Sequence, residues 1–310
     1  MIATRDAFGN QLIESAKSND KILVLSADLS KATKTEKFSK EFPERFFEIG
    51  IAESNMIGIG SGLSEYGFKV IMTSFASFLT GKYDVIRVSL AYSNAPVILV
   101  GTHAGLAIGK DGVTQMGLED ISLMRSLPNM QVMQPATPIE TKKMVEHILD
   151  SDLQGPVYLR FGRPAVPVFT PEDQVFEIGK AIQLQEGSDV TIVATGHLVW
   201  EALEAAKVLH EQGISAEVIN IHTIKPLDDK AILDSVAKTG CIVTAEEHNH
   251  LGGLGESVAR VLALHHPTPQ EFVATNDTFG ESGTPAQLME KYGLNSDSIV
   301  EKALKVIKRK

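Results

Sequence analysis

Short apolar runs rich in β-branched residues alternate with segments of helical period over most of the chain. This alternation is typical of a parallel sheet whose strands are connected by crossover helices. In the first half, the apolar runs predict strands at residues 22–26, 46–49, 69–73, 97–101, 131–134 and 157–160. The periodic segments between them predict helices at residues 5–18, 53–66, 82–93, 118–125 and 138–149.

The same alternation restarts after residues 162–174, a proline-containing stretch of little periodicity that predicts a linker between domains. Beyond it the chain predicts strands at residues 190–194, 216–221, 241–245 and 271–274, and a strand or strand pair at 176–185. Helices are predicted at residues 198–212, 228–239, 255–264 and 285–292. The predicted fold class is therefore α/β, with two parallel-sheet domains at residues 1–168 and 169–310, the second being the smaller.

The charge balance and the single cysteine narrow the classes of partner and compartment. The 310 residues include 29 Lys plus Arg and 39 Asp plus Glu, which gives a formal net charge of −10. Because nucleic acids and anionic membranes bind basic faces, we expect neither as a partner. Cys241 is alone, so no intrachain disulfide can form, and its apolar run predicts a buried strand position. With no signal-peptide pattern and no apolar stretch of about 20 residues, we expect a cytoplasmic protein.

Polar residues at the strand ends are the first candidates for chemistry, because open parallel sheets bind ligands beyond the carboxyl ends of their strands. Asp28 follows the first predicted strand, where capping of the next turn is the commoner role. Glu53 begins a predicted helix and has apolar and small neighbours. It either complements the helix N-terminus or is a desolvated carboxyl that shares a proton with a ligand nitrogen.

Two further segments after strands are chemically unusual. Phe75 and Phe78 are three residues apart, so they either belong to the core or form an aromatic wall on one helical face. The loop at residues 101–115 is long and rich in glycine, which is typical of functional loops. Its His103 and Asp111 have no further ligands at a recognisable spacing, so no metal site is predicted there.

In their order and spacing these segments resemble the C-terminal half of transketolase, and the similarity runs nearly from end to end. The resemblance rests on the motifs Ile51-Ala52-Glu53-Ser54-Asn55-Met56, Ser74-Phe75-Ala76-Ser77-Phe78, Thr102-His103-Ala104-Gly105, Lys110-Asp111-Gly112-Val113-Thr114-Gln115-Met116, Arg160-Phe161-Gly162-Arg163-Pro164 and Thr223-Ile224-Lys225-Pro226-Leu227-Asp228. It implies the pyrimidine-binding domain of a thiamine-diphosphate enzyme, followed by a transketolase C-terminal domain.

The resemblance implies thiamine diphosphate as the cofactor and, as the activity, transfer of a two-carbon ketol unit between sugar phosphates, as in the pentose phosphate pathway. Glu53 matches the family's glutamate that hydrogen-bonds N1′ of the aminopyrimidine ring. Phe75 and Phe78 match the aromatic pocket around that ring, and Asp28 matches an acid near the cofactor.

A second group of residues matches family positions that bind the substrate. Arg5 and Arg163 match arginines that hold the sugar phosphate, for which a planar guanidinium is well suited. His103 and Asp111 match residues that contact substrate hydroxyls and phosphate. Gln115 stands where bacterial and yeast-like members often carry His and animal-like members carry Gln. The resemblance thus implies three catalytic residues, Glu53, His103 and Gln115.

Three departures from the family pattern set limits on these expectations. Ala32 stands where a phosphate-contacting serine is usual, with Thr33 and Lys34 as candidate substitutes, and Gly81 stands where an aromatic residue sometimes occurs. No G-D-G motif with a downstream Asn is present, so the diphosphate and metal site of the family is missing. We therefore expect a diphosphate-binding N-terminal transketolase subunit as the partner, with Mg or Ca held by that subunit, in a heterotetramer of two such pairs.

Three other interpretations stay open at this point. The β subunit of a 2-oxoacid dehydrogenase has the same two domains, although Arg5, Arg163 and residues 109–115 favour a sugar phosphate over a keto acid. Deoxyxylulose-phosphate synthase shares more of the loop but is normally one long chain. A non-catalytic α/β regulatory module is disfavoured, because Glu53 is present together with both phenylalanines.

Overall fold

Two mainly parallel sheets with helices on both faces form the framework of the chain, and a computed structural model describes all 310 residues. The strands are β1 (Ile2–Ala3), β2 (Ile22–Ser26), β3 (Phe46–Glu48), β4 (Lys69–Phe75), β5 (Val97–Thr102), β6 (Gln131–Met133), β7 (Val157–Arg160), β8 (Ala165–Val166), β9 (Ile182–Gln185), β10 (Val190–Ala194), β11 (Ala216–Asn220), β12 (Thr223–Lys225), β13 (Ile242–Asn249) and β14 (Gln270–Thr275). The helices are α1 (Thr4–Ser18), α2 (Ser30–Thr33), α3 (Glu36–Glu41), α4 (Glu53–Ser64), α5 (Ala76–Thr80), α6 (Tyr83–Ile86), α7 (Asp120–Ser126), α8 (Pro138–Asp150), α9 (Leu198–Glu211), α10 (Asp229–Thr239), α11 (Leu254–His265), α12 (Pro285–Lys291) and α13 (Ser296–Ile307).

The sheet order confirms the predicted α/β class. The first sheet has seven strands in the order β12-β6-β7-β5-β4-β2-β3, and only β12 is antiparallel to its neighbour. The second sheet has five strands in the order β14-β13-β10-β11-β9, and only β9 is antiparallel. A separate antiparallel pair joins β1 to β8. Antiparallel strands are thus confined to the sheet edges, as in many large α/β sheets.

Several elements differ from the sequence-based predictions, among them the short β1, β8, α2, α3 and α5, which were not predicted. Residues 82–93, predicted as one helix, form the short α6 and then a π-helical segment, Arg87–Tyr92. Within residues 176–185 only the strand β9 forms. The strand β12 was not predicted. It belongs to the second half of the chain but pairs with β6 of the first sheet. A strand of only three residues is too short to show a periodic pattern, so the sequence pattern near β12 does not predict this long-range pairing.

Alternate residues of the central strands enter two different cores. Ile71 of β4 packs in a cluster with α1 and α8, whereas its neighbour Met72 packs in a cluster that contains α4. The latter cluster continues into the second sheet through Val193 and Ile242. Each fully buried aliphatic side chain stabilises the fold by about 1.5–3 kcal/mol, so this shared cluster couples the two domains. Cys241 is fully buried, as predicted, and lies directly before β13.

A buried ion pair of the first domain also makes a contact with the second domain. Arg160 at the end of β7 pairs with the fully buried Asp120 at the start of α7, with 2.7 Å between Nε and Oδ2. The Tyr158 hydroxyl donates to the same oxygen at 2.8 Å. Arg160 Nη2 also donates to the carbonyl oxygens of Gly117 at 3.1 Å and of Glu247 on β13 at 2.9 Å. Against the opposing effect of burial, the Asp120 carboxylate raises the pKa of Arg160, which therefore stays charged.

None of the helices has the length and apolar character that crossing a bilayer needs.

The Arg160–Asp120 pair gives a stability prediction. Arg160→Met leaves the Asp120 carboxylate buried without its counter-charge, so we expect the free energy of unfolding to fall by about 3–5 kcal/mol. The measurement is chemical denaturation followed by far-UV circular dichroism. Lys17→Ala, which breaks the exposed Lys17–Glu14 pair, serves as the control and should leave the unfolding midpoint near that of the wild type. A midpoint for Arg160→Met equal to that of this control would contradict the prediction.

Candidate active site

The carboxyl-end edge of the first sheet carries most of the predicted site residues. Phe75 is the last residue of β4, His103 directly follows β5, and Arg163 lies shortly after β7. Asp28 follows β2, and Glu53 begins α4 after β3. Since parallel strands all present their carboxyl ends at one edge, the topology brings these five residues to the same side of the sheet.

Glu53 is a buried carboxylate with one unused oxygen. It is the first residue of α4 and is only 6% exposed. The Ser74 hydroxyl, on the neighbouring β4, donates to Glu53 Oε1 at 3.0 Å. The other carboxylate oxygen has no hydrogen-bond partner within the chain. Met56 and Ile57 of the next turn are fully buried, which fixes α4 against the sheet and holds Glu53 in place.

An aromatic stack lies at the same edge. The Phe75 and Phe78 rings are stacked, with 5.4 Å between centroids and 22° between planes. The His103 ring lies 4.1 Å from that of Phe75. The prediction that both phenylalanines share one helical face is wrong, because Phe75 belongs to β4 and only Phe78 lies on α5. The strand-to-helix turn nevertheless brings the two rings together, and the aromatic wall forms.

His103 is a neutral histidine held in one orientation. Its backbone has φ of +58°, which is unusual for a residue with a side chain, and the residue is 3% exposed. Burial first, and then the charges of Arg5, Arg163 and Lys34, lowers the pKa of its ring to about 3. Arg5 Nη1 lies 3.0 Å from Nε2, and an arginine can only donate, so Nε2 accepts. The proton is therefore assigned to Nδ1, which donates to the Thr102 hydroxyl at 2.9 Å.

Only some of the hydrogen-bond donors of the Arg5 guanidinium have a partner in the chain. Its Nη1 donates to the Ala32 carbonyl at 2.8 Å as well as to His103, whereas its buried Nε has no partner. Burial lowers the pKa of Arg5, and the nearby Arg163 charge acts in the same direction, against the opposing charge of Asp6. Two cations that repel each other at one site favour the binding of an anion between them.

Arg5 and Arg163 line one cavity of about 380 Å³, which we call the basic cleft. Arg163 donates from Nη1 to the Ile108 carbonyl at 2.7 Å and to Asp111 Oδ2 at 3.0 Å. The basic cleft also contains Lys110, whose side chain forms no ion pair or hydrogen bond and to which the resemblance assigned no role. The complete lining of the basic cleft is Arg5, Ala107, Ile108, Lys110, Arg163, Pro164 and Pro285.

Asp28 and Gln115 are not joined to the other site residues by side-chain hydrogen bonds. Asp28 is exposed, has φ of +58°, and its backbone N–H donates to Glu48 Oε1 at 2.6 Å. Gln115 ends the 3-10 turn Val113–Gln115, and its carbonyl accepts from the Ser77 hydroxyl at 3.1 Å. Both side chains are therefore free to contact a ligand, and their backbones are fixed by neighbours.

The second domain shapes the loop of the basic cleft. Gly105 and Gly109 have φ of +81° and +85°, a region that residues with side chains rarely adopt. A Cβ at Gly105 would collide with the Glu247 carboxylate, and one at Gly109 would lie 3.0 Å from Pro285. These glycines thus permit both the backbone turn and the close approach of the second domain. Glu247 and Pro285 lie far away in sequence, so only the fold identifies them.

The structure clarifies two of the departures from the family pattern. Thr33 is fully buried, and its hydroxyl donates to the Leu29 carbonyl at 3.0 Å, so it cannot substitute for the missing serine at Ala32. Lys34 is paired with Asp6 at 2.9 Å and is partly exposed. At Gly81, which is exposed, a Cβ would lie 3.0 Å from the Ser77 carbonyl of the preceding turn, a tight contact that a small shift of the backbone would relieve.

No three His, Cys, Asp or Glu side chains come together as a group that could hold a metal ion.

Comparisons with known proteins agree with this geometry. The family description "Transketolase, pyrimidine binding domain" matches residues 1–168, and "Transketolase, C-terminal domain" matches residues 179–299. The chain belongs to the transketolase family.

Individual relatives match the chain over nearly its whole length. A protein of Methanocaldococcus jannaschii named "Putative transketolase C-terminal section" is 41% identical and covers 98% of this chain and 96% of its own. A protein of a Clostridium species named "6-deoxy-6-sulfo-D-fructose transketolase subunit SqwH" is 42% identical and covers 99% and 95%. The solved structure described as "Split gene transketolase, inactive beta4 tetramer" superimposes with a TM-score of 0.93 at 46% identity and covers 99% of both chains.

Transketolase membership implies thiamine diphosphate as the cofactor, and the residues at the sheet edge fit its aminopyrimidine end. Glu53 is a buried residue, and it offers one carboxylate oxygen without a hydrogen-bond partner in the chain, which a ring nitrogen could contact. The stacked Phe75 and Phe78 rings offer apolar faces for a flat heterocycle. The resemblance of Glu53, Phe75 and Phe78 to cofactor-binding residues of transketolase is thus compatible with the geometry.

The environment of His103 gives a pH prediction. With a pKa near 3, the ring is neutral from about pH 5 to 8, where an unperturbed histidine at about 6.5 changes charge. We expect the His103 resonances of imidazole-labelled protein to show no pH-dependent shift over this range in NMR spectra, with the urea-unfolded chain as the reference. A titration of His103 centred near 6.5 would contradict the assigned environment.

Proposed function

We propose that this chain is the C-terminal subunit of a split transketolase, which transfers a two-carbon ketol unit between sugar phosphates with thiamine diphosphate. The observation that carries the proposal is the buried Glu53, whose free oxygen lies at the sheet edge that also presents stacked phenylalanines and two arginines. The two relatives and the solved structure described above all carry transketolase names and nearly equal this chain in length.

Glu53 has the role of a proton holder in this proposal. Thiamine diphosphate, when bound, supplies the electron sink for breaking and forming the carbon–carbon bond. With the cofactor bound, Glu53 would hold a proton at its free carboxylate oxygen, toward the aminopyrimidine nitrogen, while Ser74 donates to the other oxygen. Phe75 and Phe78 would pack on the ring and exclude water, which would strengthen this hydrogen bond. Asp28, exposed at the end of β2, lies near the cofactor in this assignment.

The basic cleft binds the anionic end of the sugar. Arg5, Arg163 and Lys110 supply positive charge there, and the buried Arg5 Nε has no partner within the chain. His103 would accept from a substrate hydroxyl at Nε2, in place of the Arg5 guanidinium that donates to this nitrogen in the chain, and its uncharged ring does not add to the local repulsion. Asp111, beside Arg163, and Gln115 complete the substrate contacts.

The diphosphate end of the cofactor and its divalent metal, Mg or Ca, are assigned to a separate N-terminal subunit. This chain has no G-D-G motif, and its candidate site recognises only the pyrimidine end. A relative described as an inactive β4 tetramer supports both subunit dependence and higher assembly. We therefore infer a heterotetramer of two subunit pairs, since symmetric pairing is the common arrangement. The single cysteine, which cannot form an intrachain disulfide, fits the cytoplasmic location that we infer.

The type of sugar is a separate question from the type of reaction. One relative carries the name of a 6-deoxy-6-sulfo-D-fructose transketolase subunit, so family members differ in the anion at the end of the sugar. In this chain the cations of the basic cleft suit an oxyanion such as phosphate, because a planar guanidinium can bind two of its oxygens with parallel hydrogen bonds.

Glu53→Gln tests the chemical role. The amide has nearly the same shape but cannot hold and return a proton, so turnover of the reconstituted enzyme should fall by about 10²–10⁴-fold while the fold is kept. Ketol transfer is measured at saturating cofactor, and thermal unfolding checks the fold. Glu65→Gln, at the exposed residue directly after the C-terminus of the same helix, is the control. Turnover of Glu53→Gln within threefold of this control would refute the assignment.

Isolation of the chain tests the dependence on a partner. Aromatic contacts add only about 0.5–1.5 kcal/mol beyond area burial, so the purified chain should bind thiamine diphosphate weakly. We expect no ketol transfer by the chain alone with cofactor and magnesium, and activity after addition of a subunit that carries the G-D-G motif. Light scattering of the active mixture should give a mass of two pairs. Full activity without a second polypeptide would show that the subunit assignment is wrong.

A further inference from the structure

Two walls of the basic cleft, besides Arg5 and Pro285, come from different parts of the chain. One wall is the cleft loop, residues 104–112, which contributes Ala107, Ile108 and Lys110. The other wall is the segment after β7, which contributes Arg163 and Pro164. Their separation determines whether Lys110 and Arg163 can contact one anion together. One buried pair of the second domain touches both walls.

Glu247 on β13 holds the loop wall. It is 1% exposed, and its Oε1 accepts the Ala107 backbone N–H at 2.6 Å. A short hydrogen bond between a buried carboxylate and a backbone N–H is among the strong ones in proteins. The carbonyl of the next residue, Ile108, accepts a hydrogen bond from the Arg163 guanidinium. A shift of Ala107 would therefore also move Arg163.

His197 holds the other wall. Its side chain is 11% exposed, and its Nδ1 lies 3.3 Å from Glu247 Oε2. Its Nε2 is buried without a partner and faces Gly162, where any Cβ would collide with the ring. Gly162 directly precedes Arg163, so the imidazole sets how far this segment can move toward the second domain.

We propose that the His197–Glu247 pair is a positioning element for the substrate anion, through which the second domain controls recognition of the phosphorylated end of the sugar. The inference rests on the proposed function of the basic cleft. Neither residue lines the cleft. They act through Ala107 and Gly162, and so fix the spacing between Lys110 and Arg163.

Glu246 provides a matched comparison for Glu247. It is the preceding residue of β13, is also 1% exposed, and also accepts backbone hydrogen bonds, from Leu254 at 2.7 Å and Gly255 at 2.8 Å. These contacts lie entirely within the second domain. Glu246→Ala therefore removes an equally buried carboxylate without touching the cleft loop, and it separates general destabilisation from positioning.

The kinetic test compares a phosphorylated ketose with its non-phosphorylated analogue in the reconstituted enzyme. For Glu247→Ala we expect KM for the phosphorylated ketose to rise about tenfold or more, since a hydrogen bond to a charged group is lost, with little change in kcat. KM for the analogue should stay within twofold. Glu247→Gln should keep KM for the phosphorylated ketose close to the wild-type value, because its amide oxygen can still accept the Ala107 N–H. Glu246→Ala should change KM for neither ketose. His197→Ala should raise KM for the phosphorylated ketose, as Glu247→Ala does.

A second readout needs neither the partner nor activity. Hydrogen exchange of the isolated chain, followed by mass spectrometry, should be faster in residues 104–112 for Glu247→Ala and unchanged there for Glu246→Ala. Unchanged exchange in this segment would overturn the positioning role, whatever the enzyme's activity. Faster exchange with an unaltered KM ratio between the two ketoses would overturn the role in recognition. If wild-type enzyme lacked ketol transfer, the proposed function would fail, and exchange would still decide the positioning role.

Discussion

The Arg160 guanidinium is the point on which the arrangement of the two domains depends. A charge this deeply buried is tolerated only when its hydrogen bonds are satisfied, and the groups that satisfy them come from α7, from the turn at Gly117 and from β13 of the second domain. The second domain thus contacts the Arg160 guanidinium through the Glu247 carbonyl, which accepts a hydrogen bond that water would accept if the cation were exposed. Because that carbonyl belongs to Glu247, the same residue joins the buried charge to the loop of the basic cleft.

Most of the element order could be predicted from the sequence, because each central strand is a short buried apolar run and each crossover helix shows its own period. The β2 strand and α8 illustrate this: the first is fully buried, and the second begins with a Thr137 cap and Pro138. What local patterns could not show are contacts between distant segments. The strand β12 pairs with the other domain, and Phe75 lies on a strand although its spacing from Phe78 suits a helix.

The candidate site was predictable to the extent that its chemistry lies in short motifs. Glu53 and the two phenylalanines follow from strand ends and from the resemblance, and the structure adds that only one Glu53 oxygen is used. The neutral state of His103 was not predictable, since it arises from burial and from cations on three separate segments. Lys110 carries no local signal that distinguishes it from an ordinary surface lysine. His197 and Glu247 act through contacts that only the folded chain creates.

The glycines of the cleft loop have a consequence for how this protein can change over evolution. At Gly105 and Gly109 the backbone touches Glu247 and Pro285, so the loop and the second domain fit each other as a matched pair of surfaces. A substitution that enlarges a side chain in the loop or in the facing part of the second domain therefore requires a compensating substitution on the other surface. Chimaeras that exchange second domains between distant homologues would therefore inherit mismatched surfaces at the cleft loop, even where each domain folds well. Recombination is better tolerated when the loop and β13 are transferred together.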